Sequence, residues 1–361
     1  MHMADALLSP SVGVTMWAAS AASIAYCSRK VRRELDDRKV PLMGVLGAFI
    51  FAAQMINFTI PGTGSSGHLG GGLLLAILLG PHAAFLVIAS VLMVQALFFA
   101  DGGLLALGCN IFNLGFFPAF IAYPLIYRKI IGSEPSRARM TGAAIITSIV
   151  GLQMGAFGVV LETVVSGISS LPFTTFVALM QPIHLAIGIV EGLVTASVVS
   201  FIYTARPEII QSALEARPIG SRPVRSILLA FAAVALLTGG LLSWFASENP
   251  DGLEWSIARV TGKEELKAPQ QGLHAATAAL QERIAFLPDY SFRNTAEARP
   301  EPAQPAQATA TEHKPEEKSK GSQFGTTVAG IVGGLITLAL AALVGFLLKQ
   351  RQPGLMAPDE P

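Results

Sequence analysis

Long apolar segments separated by short polar ones cover most of the chain. A helix that crosses a bilayer needs about 20 mostly apolar residues, and most of these segments approach that length. The pattern therefore predicts an all-α integral membrane protein, a polytopic helical bundle. The candidate segments are Val12 to Tyr26, Leu42 to Phe58, Leu69 to Gly80, Ala83 to Phe99, Leu104 to Tyr127, Thr141 to Leu161, Phe173 to Phe201, Ile227 to Phe245 and Gly325 to Leu348.

The segment Leu69 to Gly80 is too short to span comfortably, and the basic residues decide how it is interpreted. Lys and Arg are concentrated in residues 29–39, 128–139, 206–225 and 349–351. Short cytoplasmic loops carry an excess of Lys and Arg, so these four stretches should share one face of the membrane. They share one face only if the segment Leu69 to Gly80, lengthened by residues before it, also crosses the membrane. We therefore expect an extracytoplasmic N-terminus and a cytoplasmic C-terminus.

One sizeable polar stretch, residues 246–323, interrupts the apolar pattern. Its second half is rich in Pro, Ala, Glu and Lys, which predicts a flexible linker over residues 296–322 because such a composition cannot bury a core. The predicted organisation is a bundle of about seven spanning helices in residues 1–205, a cytoplasmic linker at 206–225 and a second module at 226–348. That module has two spanning helices, near 227–245 and 325–348, joined by an extracytoplasmic insert at 246–323. A cytoplasmic tail follows at 349–361.

Composition agrees with a membrane protein and excludes several functions. Charged residues make up 14% of the chain, against about 25% in soluble domains, and Asp101 is the only Asp, Glu, Lys or Arg between Lys39 and Arg128. No basic stripe with interleaved aromatic residues indicates a nucleic-acid partner. The two cysteines, Cys27 and Cys109, lie in or beside apolar segments and are assigned neither a disulfide nor a metal. The chain also lacks a phosphate-binding Gly-x-x-x-x-Gly-Lys-Ser/Thr loop, so it does not hydrolyse ATP by that route.

The opening residues, Met1 and His2, form a potential chelator. The α-amine of Met1, the amide nitrogen of His2 and an imidazole nitrogen of His2 would close one five-membered and one six-membered ring around an ion. His68, in the Gly-rich segment Pro61 to Gly72, should lie on the same side of the membrane and supply a fourth nitrogen. Four nitrogens in a plane favour Ni(II) or Cu(II). No basic stretch precedes the first apolar run, so we expect no cleaved signal peptide and Met1 to remain.

Several separated motifs follow one another along the first part of the chain. They are Met-His-x-x-Asp at the start, Gly62 to Gly71, Gly108 to Asn113, and Pro182 to Gly188 with Glu191-Gly192. Together they resemble the CbiM/NikM family, the substrate-specificity components of energy-coupling-factor transporters for cobalt and nickel, over about residues 1–203. Pro250-Asp251-Gly252-Leu253-Glu254 is similar to the PDGLE motif of NikN-type proteins, so the whole chain resembles a fused NikMN-type component.

The resemblance implies a function and a set of partners. Met1, His2 and His68 would hold Ni²⁺ or Co²⁺ as the transported substrate, with no cofactor of the chain's own. A coupling transmembrane subunit (CbiQ/NikQ-like) and ATPase subunits (CbiO/NikO-like) would supply the energy, in the lipid of a prokaryotic cytoplasmic membrane. Nickel is favoured, and cobalt uptake for cobalamin biosynthesis is the alternative. Ala6-Leu7 departs from the family, where many members have Gly followed by an aromatic or aliphatic residue; no ligand is lost.

Other polar residues at membrane depth need partners, because unsatisfied polar groups there cost free energy. Six of them are candidates for hydrogen bonds around the ligands, since such partners orient ligating imidazoles. Asn110 with Asn113, and Gln54 with Asn57, lie three residues apart on one helix face, and contacts between neighbouring helices are the alternative for these pairs. For Asp5 the alternative is a cap on the first helix. His184 and Glu191 lie two helical turns apart and are interpreted either as a metal or proton relay or as a structural pair. The six are Asp5, Gln54, Asn57, Ser66, Asn110 and Asn113.

Two other functions compete with metal capture. Gly64-Ser65-Ser66-Gly67 contains a Gly-x-Ser-Gly pattern that would suit an intramembrane serine hydrolase with His184 as base. A nucleophile needs a base within hydrogen-bond reach and an oxyanion hole, and the sequence places no acid beside His184. A channel-like efflux protein is the other competitor, and the lack of acidic rings or His-rich tracts argues against a pore. The sequence therefore favours a transport component that is not an enzyme.

Overall fold

The computed structural model describes residues 2–132, 136–220, 223–292 and 320–350. Met1, most of the predicted linker at 296–322 and most of the predicted tail at 349–361 lie outside the described residues. Short 3₁₀ turns occur at Asp5–Leu7, Arg32–Glu34, Leu242–Phe245 and Pro288–Tyr290. The longer helices and the strands are α1 (Pro10–Val31), α2 (Lys39–Gln54), β1 (Phe58–Ile60), β2 (Ser65–Gly67), α3 (Gly72–Leu79), α4 (Pro81–Phe99), α5 (Leu107–Ile131), α6 (Arg137–Ser166), α7 (Phe173–Ala205), α8 (Pro207–Leu214), α9 (Arg225–Gly240), α10 (Gly252–Thr261), α11 (Gly272–Ile284) and α12 (Lys320–Gln350).

The helices form a multi-pass membrane bundle. Among the described residues, five helices are long and apolar enough to cross a bilayer, namely α4, α5, α6, α7 and residues 324–350 of α12. Helices α2 and α9 are apolar but shorter. The prediction of about seven helices in the first part stays a prediction, because length and composition alone support fewer.

The segment Leu69 to Gly80 differs from the helix that the sequence predicts. Its helix α3 has eight residues, all buried, and a helix of that length is only about 12 Å long. Residues before it do not extend it, because β1 and β2 pair as an antiparallel hairpin with Thr59 opposite Ser66. Gly71, with φ +78°, starts the helix in the left-handed region, which favours glycine. The segment is therefore a short buried helix behind a hairpin.

Helix α5 changes its winding along its length. Residues Leu107–Ile111 are α-helical, and Phe112–Tyr127 form a π-helix that contains Pro118 and Pro124. Proline has no N–H and crowds the preceding turn, which disrupts the regular α-helical hydrogen bonds. Side chains three residues apart across Ile111 therefore do not share a face as they would in one regular α-helix.

The second module packs along the bundle and over one of its ends. Helix α12 lies so close to α2 that a Cβ on Gly44 would come within 2.9 Å of the Leu338 carbonyl oxygen. Helices α9 and α12 cross at Gly239 and Gly330, where a Cβ on Gly330 would lie 2.2 Å from the Gly239 oxygen. Small residues allow such close approach of membrane helices. The polar helices α10 and α11 cover the end of the bundle at which the hairpin and the N-terminal segment meet.

Candidate metal site

Two histidines from distant parts of the sequence meet at this end of the bundle. The imidazoles of His2 and His68 are nearly parallel, with an interplanar angle of 5° and ring centroids 4.9 Å apart. The His2 side chain is 7% exposed, and His68 is buried. Met1, the third predicted source of ligands, lies outside the described residues. The structure therefore brings together the two histidines that the sequence singled out as ligands.

His68 is held in one tautomer by a hydrogen bond to the backbone. Its Nδ1 donates a hydrogen bond to the carbonyl oxygen of Leu69 at 3.1 Å, so the proton lies on Nδ1 and the lone pair on Nε2. Burial lowers the pKa of His68 to about 3. The imidazole is therefore neutral and able to bind a cation at every ordinary pH.

His2 begins a chain of hydrogen bonds that the sequence did not predict. Its Nδ1 lies 3.0 Å from Oδ1 of Asp101, and the hydroxyl of Tyr290 donates to Oδ2 of Asp101 at 2.5 Å. Burial opposes ionisation of Asp101, but the contacts with His2 and Tyr290 outweigh it and hold the pKa of the carboxyl below its usual range. Nε2 of His2 is buried without a hydrogen-bond partner in the described part of the chain. The isolated charge of Asp101 in an apolar stretch was the one signal for its role; Tyr290 carried none.

The backbone behind His2 is anchored by two residues that the sequence did predict. Asn110 accepts a hydrogen bond from the Met3 amide at 2.8 Å and donates to the Met3 carbonyl at 3.3 Å. Asp5 accepts from the Ala106 amide at 3.0 Å through one oxygen and from the Thr277 hydroxyl at 2.9 Å through the other. The Ser9 side chain, and not Asp5, caps α1. Both residues hold the N-terminal segment and neither touches an imidazole in the described contacts.

The Gly-rich loop that carries His68 is anchored by buried side chains of two helices. Glu191 of α7 accepts hydrogen bonds from the amides of Gly70 and Gly71, at 2.7 and 3.1 Å. Gln54, the last residue of α2, donates to the Gly70 carbonyl at 2.9 Å. Bonds to a carboxylate are stronger than neutral ones, so Glu191 is the firmer of the two anchors.

Ser66 connects the same loop to the second module. Its amide donates to the Pro250 carbonyl and its hydroxyl to the Asn249 carbonyl, both at 2.8 Å. The next residue, Asp251, caps α10 by accepting hydrogen bonds from the amides of Leu253 and Glu254, and it pairs through its backbone with Ser66 as a β-bridge. The PDGLE motif is therefore the structural element that lies against the His68 loop.

Helix α11 of the insert lies against the N-terminal segment and the loop that carries Asp101. Nε2 of His274 donates to the carbonyl of Leu8 at 2.8 Å, and Gln281 donates to the carbonyl of Gly102 at 2.7 Å. The sequence assigned His274 no role, and a lone His in a polar stretch carries no signal for one.

Two of the six candidate partners, and His184, have other described contacts. Asn113 donates to Glu162 of α6 at 2.8 Å, and for Asn57 the described contact is its carbonyl, which accepts from the Ser247 amide at 2.7 Å. His184 donates through Nδ1 to the Met180 carbonyl of its own helix at 2.8 Å, while Glu191 binds the Gly-rich loop. His184 and Glu191 thus have separate partners, and neither a relay nor a mutual pair is present among the described contacts.

The hydrolase alternative has no support in the geometry. The Ser65 hydroxyl donates to the carbonyl of Ser66 at 3.1 Å, and the Ser66 hydroxyl is bound to Asn249. His184, the proposed base, is bound to Met180. The two serines are structural elements of the hairpin and its contact with the PDGLE motif.

Residues 2–209 match the family of the CbiM cobalt uptake substrate-specific transmembrane region, which is more than half of the chain. The chain belongs to this family. Residues 225–350 match the PDGLE domain, so the CbiM region is fused to a second family unit. This combination confirms the resemblance that the motifs indicated.

Relatives of the CbiM family chain include other fused proteins. It is 31% identical to the fused nickel transport protein NikMN of Rhodobacter capsulatus over 81% of this chain and 88% of that protein. It is 37% identical to a putative fused nickel transport protein NikMN of Archaeoglobus fulgidus over 58% of this chain and 68% of that protein. A cobalt transport protein CbiM of Geobacter sulfurreducens is 27% identical over 76% of this chain and 81% of that protein.

A crystal structure described as that of a transition metal transporter has the same fold as the CbiM region. It is 31% identical, covers 59% of this chain and 97% of its own length, and superposes with a TM-score of 0.51. Family, relatives and fold agree that the chain is a multi-pass membrane component of metal transport, of the type that handles nickel or cobalt.

Proposed function

We propose that the chain is the substrate-binding membrane component of an energy-coupling-factor transporter that takes up nickel. The observation that carries the proposal is the pair of parallel imidazoles of His2 and His68. The two residues are far apart in the sequence and adjacent in the fold. The anchors around them hold only the backbone of the N-terminal segment and of the Gly-rich loop. Such an arrangement presents two ligands and leaves the ion's remaining positions to the chain terminus.

The ligand set consists of four nitrogens. They are the α-amine of Met1, the amide nitrogen and Nδ1 of His2, and Nε2 of His68. In the described part of the chain no three His, Cys, Asp or Glu side chains are grouped so that they hold a metal ion. The proposed site needs only two side chains, because the backbone and the terminus supply the other two nitrogens. A planar nitrogen set suits Ni(II).

Metal capture requires one rearrangement at His2. Nδ1 closes the six-membered chelate ring, but it faces Asp101 at 3.0 Å. A half-turn of the imidazole about its Cβ–Cγ bond carries Nδ1 away from Asp101 while the ring stays in place. Asp101 then remains beside the site as a half-buried carboxylate that offsets the positive charge of the ion.

The chain takes part in transport together with other subunits. We infer a CbiQ/NikQ-like coupling subunit and CbiO/NikO-like ATPases, because the sequence carries no nucleotide-binding loop of its own. We infer that the metal site faces outward and that the C-terminus is cytoplasmic. Although α3 is short, it ends at Gly80, where an added Cβ would lie 3.4 Å from Glu34 of the first basic stretch, and this lets the four basic stretches share one face. Nickel is favoured over cobalt because the fused relatives are named as nickel transport proteins.

The test is binding of Ni²⁺ and Co²⁺ by calorimetry to the purified chain and to a variant with Gly-Gly added before Met1. Two residues are needed, because one would make His the third residue and create a new chelate of amine, amides and imidazole. Loss of an outer partner of a metal ligand costs about 10–100-fold in affinity, so loss of the amine itself should cost at least about 100-fold. The control carries Gly-Gly at the C-terminus and should bind like the wild type. Equal affinity of the two extended chains would refute the N-terminal site, and tighter binding of Co²⁺ than of Ni²⁺ would reverse the preference.

A further inference from the structure

A cavity of about 410 Å³ lies between the N-terminal segment, the loop Ala100–Gly103 and the polar insert of the second module. The His2 imidazole forms part of its wall. The other walls come from α10, from the turn that follows α10 and from α11. The cavity thus connects the candidate metal site with the surface of the second module.

The charged side chains on this wall are carboxylates. The bundle contributes Asp5 and Asp101, and α10 contributes Glu254 next to its cap, Asp251. Among the described residues that line the cavity there is no Lys or Arg. The chain as a whole carries a net charge of only +1, so the negative charge is concentrated here and does not reflect an acidic protein.

Three further carboxylates lie nearer the outer part of the insert and are available to a cation. Glu264, Glu265 and Asp289 line the cavity, and within the described residues none of them has a hydrogen bond or an ion pair. Burial raises the pKa of Asp289, and the charges of Asp101 and Glu265 raise it further. The carboxylates therefore repel one another across the cavity, and a cation would relieve that repulsion.

A second observation points to a cation as the ligand of this cavity. The His2 side chain in the wall is 93% buried, as its exposure is 7%, and its Nε2 has no hydrogen-bond partner within the described residues. When Nδ1 of a neutral His2 donates to Asp101, the lone pair lies on Nε2. The acidic wall thus ends at a buried nitrogen whose lone pair a cation would satisfy.

We propose that this acidic cavity, built largely by the PDGLE module, is a vestibule that collects hydrated divalent cations and delivers them to the N-terminal chelate. The proposal rests on the function proposed above. No three of the side chains are grouped to hold a bare ion, so the cation keeps its water shell and the binding is weak and electrostatic. Clefts of one charge with low-dielectric walls raise cation on-rates by about 10–10³-fold. The vestibule would give the fused module a direct part in metal capture.

The test is the association rate of Ni²⁺ with the purified full chain, measured by stopped flow at about 20 mM and about 300 mM NaCl. The test variant is Glu264→Gln with Glu265→Gln, which removes two exposed charges of the cavity. The control is Glu248→Gln with Glu282→Gln, which removes two exposed charges of the same insert outside the cavity. We expect the test variant to bind about tenfold more slowly at low salt, with a weaker salt dependence and an unchanged dissociation rate, and the control to behave as the wild type.

The outcomes separate the vestibule from the metal site. If the test variant associates as fast as the wild type at low salt, the vestibule is wrong while the metal site stands. Equal slowing in both variants would assign the effect to general charge and would also overturn the vestibule. If the chain with Gly-Gly before Met1 binds Ni²⁺ as the wild type does, the N-terminal site fails, and the vestibule that leads to it fails with it.

Discussion

At the scale of single residues, His2 is positioned through the backbone on either side of its neighbour Met3. Asn110 binds the amide and the carbonyl of Met3, and the Gly103 amide donates to the same carbonyl at 2.9 Å. Gly103 also passes directly beside Asp5. The backbone that carries the imidazole is therefore set by contacts to atoms that every residue type shares, together with a close approach that only glycine allows, while Asp101 contacts the ring itself.

Gly103→Ala should weaken nickel binding without changing a ligand. A Cβ at this position would lie 1.9 Å from Oδ1 of Asp5, so the N-terminal segment must shift. We expect the affinity for Ni²⁺, measured by calorimetry on the purified chain, to fall by about 10–100-fold. Losses of this size follow when a residue that supports a metal ligand is changed. The matched control is Gly142→Ala in α6, where the added methyl meets nothing within 4 Å. Equal affinities of the two variants would contradict this account of the segment.

The regularity of the local helix geometry decides which neighbours the candidate partners meet. Asn110 lies in the α-helical part of α5 and reaches the N-terminal segment. Asn113 lies in the π-helical part, where the winding differs, and therefore faces Glu162 and not the site. Gln54 is the last residue of α2, so the helical face that it was expected to share with Asn57 ends there. Both failures come from extending an ideal α-helix past its end.

At the scale of elements, the hairpin β1–β2 and the loop after it form a small unit held from two sides. Glu191 of α7 binds the amides of Gly70 and Gly71 on one side, and the PDGLE motif binds Ser66 on the other. The sequence predicted a loop here and no strands, because strands of three residues carry no periodic pattern. Their pairing depends on contacts from helices that are far away in the sequence.

Glu191→Gln should loosen this unit and reduce metal affinity. A neutral amide has one acceptor oxygen in place of two, so at least one charge-assisted bond, worth about 1.5–3 kcal/mol, is lost. We expect Ni²⁺ affinity to fall by about tenfold or more. The control is Glu162→Gln, at another carboxylate within the helices, which binds Asn113 away from the histidines. If both variants bind as the wild type does, Glu191 does not hold the His68 loop in place.

At the scale of the whole molecule, the second module is packed on the first along its length and covers the candidate metal site at one end. Trp255 donates to the carbonyl of Thr63, and His274 donates to that of Leu8. The polar stretch is visible in the sequence but its docking is not, because most of these contacts run from polar side chains to backbone oxygens and leave no periodic signal. In contrast, each of the five helices in the described residues that are long and apolar enough to cross a bilayer coincides with an apolar segment of the sequence.

The number of protons released on metal binding tests whether the N-terminus and His68 bind the ion together. An α-amine has a reference pKa of about 7.7–8.0, so at pH 7 it must lose a proton to bind, and the amide of His2 must lose another. His68 adds none, because burial lowers its pKa to about 3 and its imidazole is already neutral. We therefore expect about two protons released per Ni²⁺ at pH 7, and affinity that falls by at least about two orders of magnitude per pH unit below that.

Calorimetry in buffers of different ionisation enthalpy measures this number directly. The Gly-Gly extended chain is the reference, because it keeps both imidazoles and should release fewer protons. Because the pKa of His68 is lowered to about 3, acidification to pH 5 leaves this imidazole neutral. The loss of Ni²⁺ affinity at pH 5 therefore comes from the other ligands. Release of no protons at pH 7 would mean that the ion is held by side chains alone, and the capture site would then have to be sought away from the N-terminus.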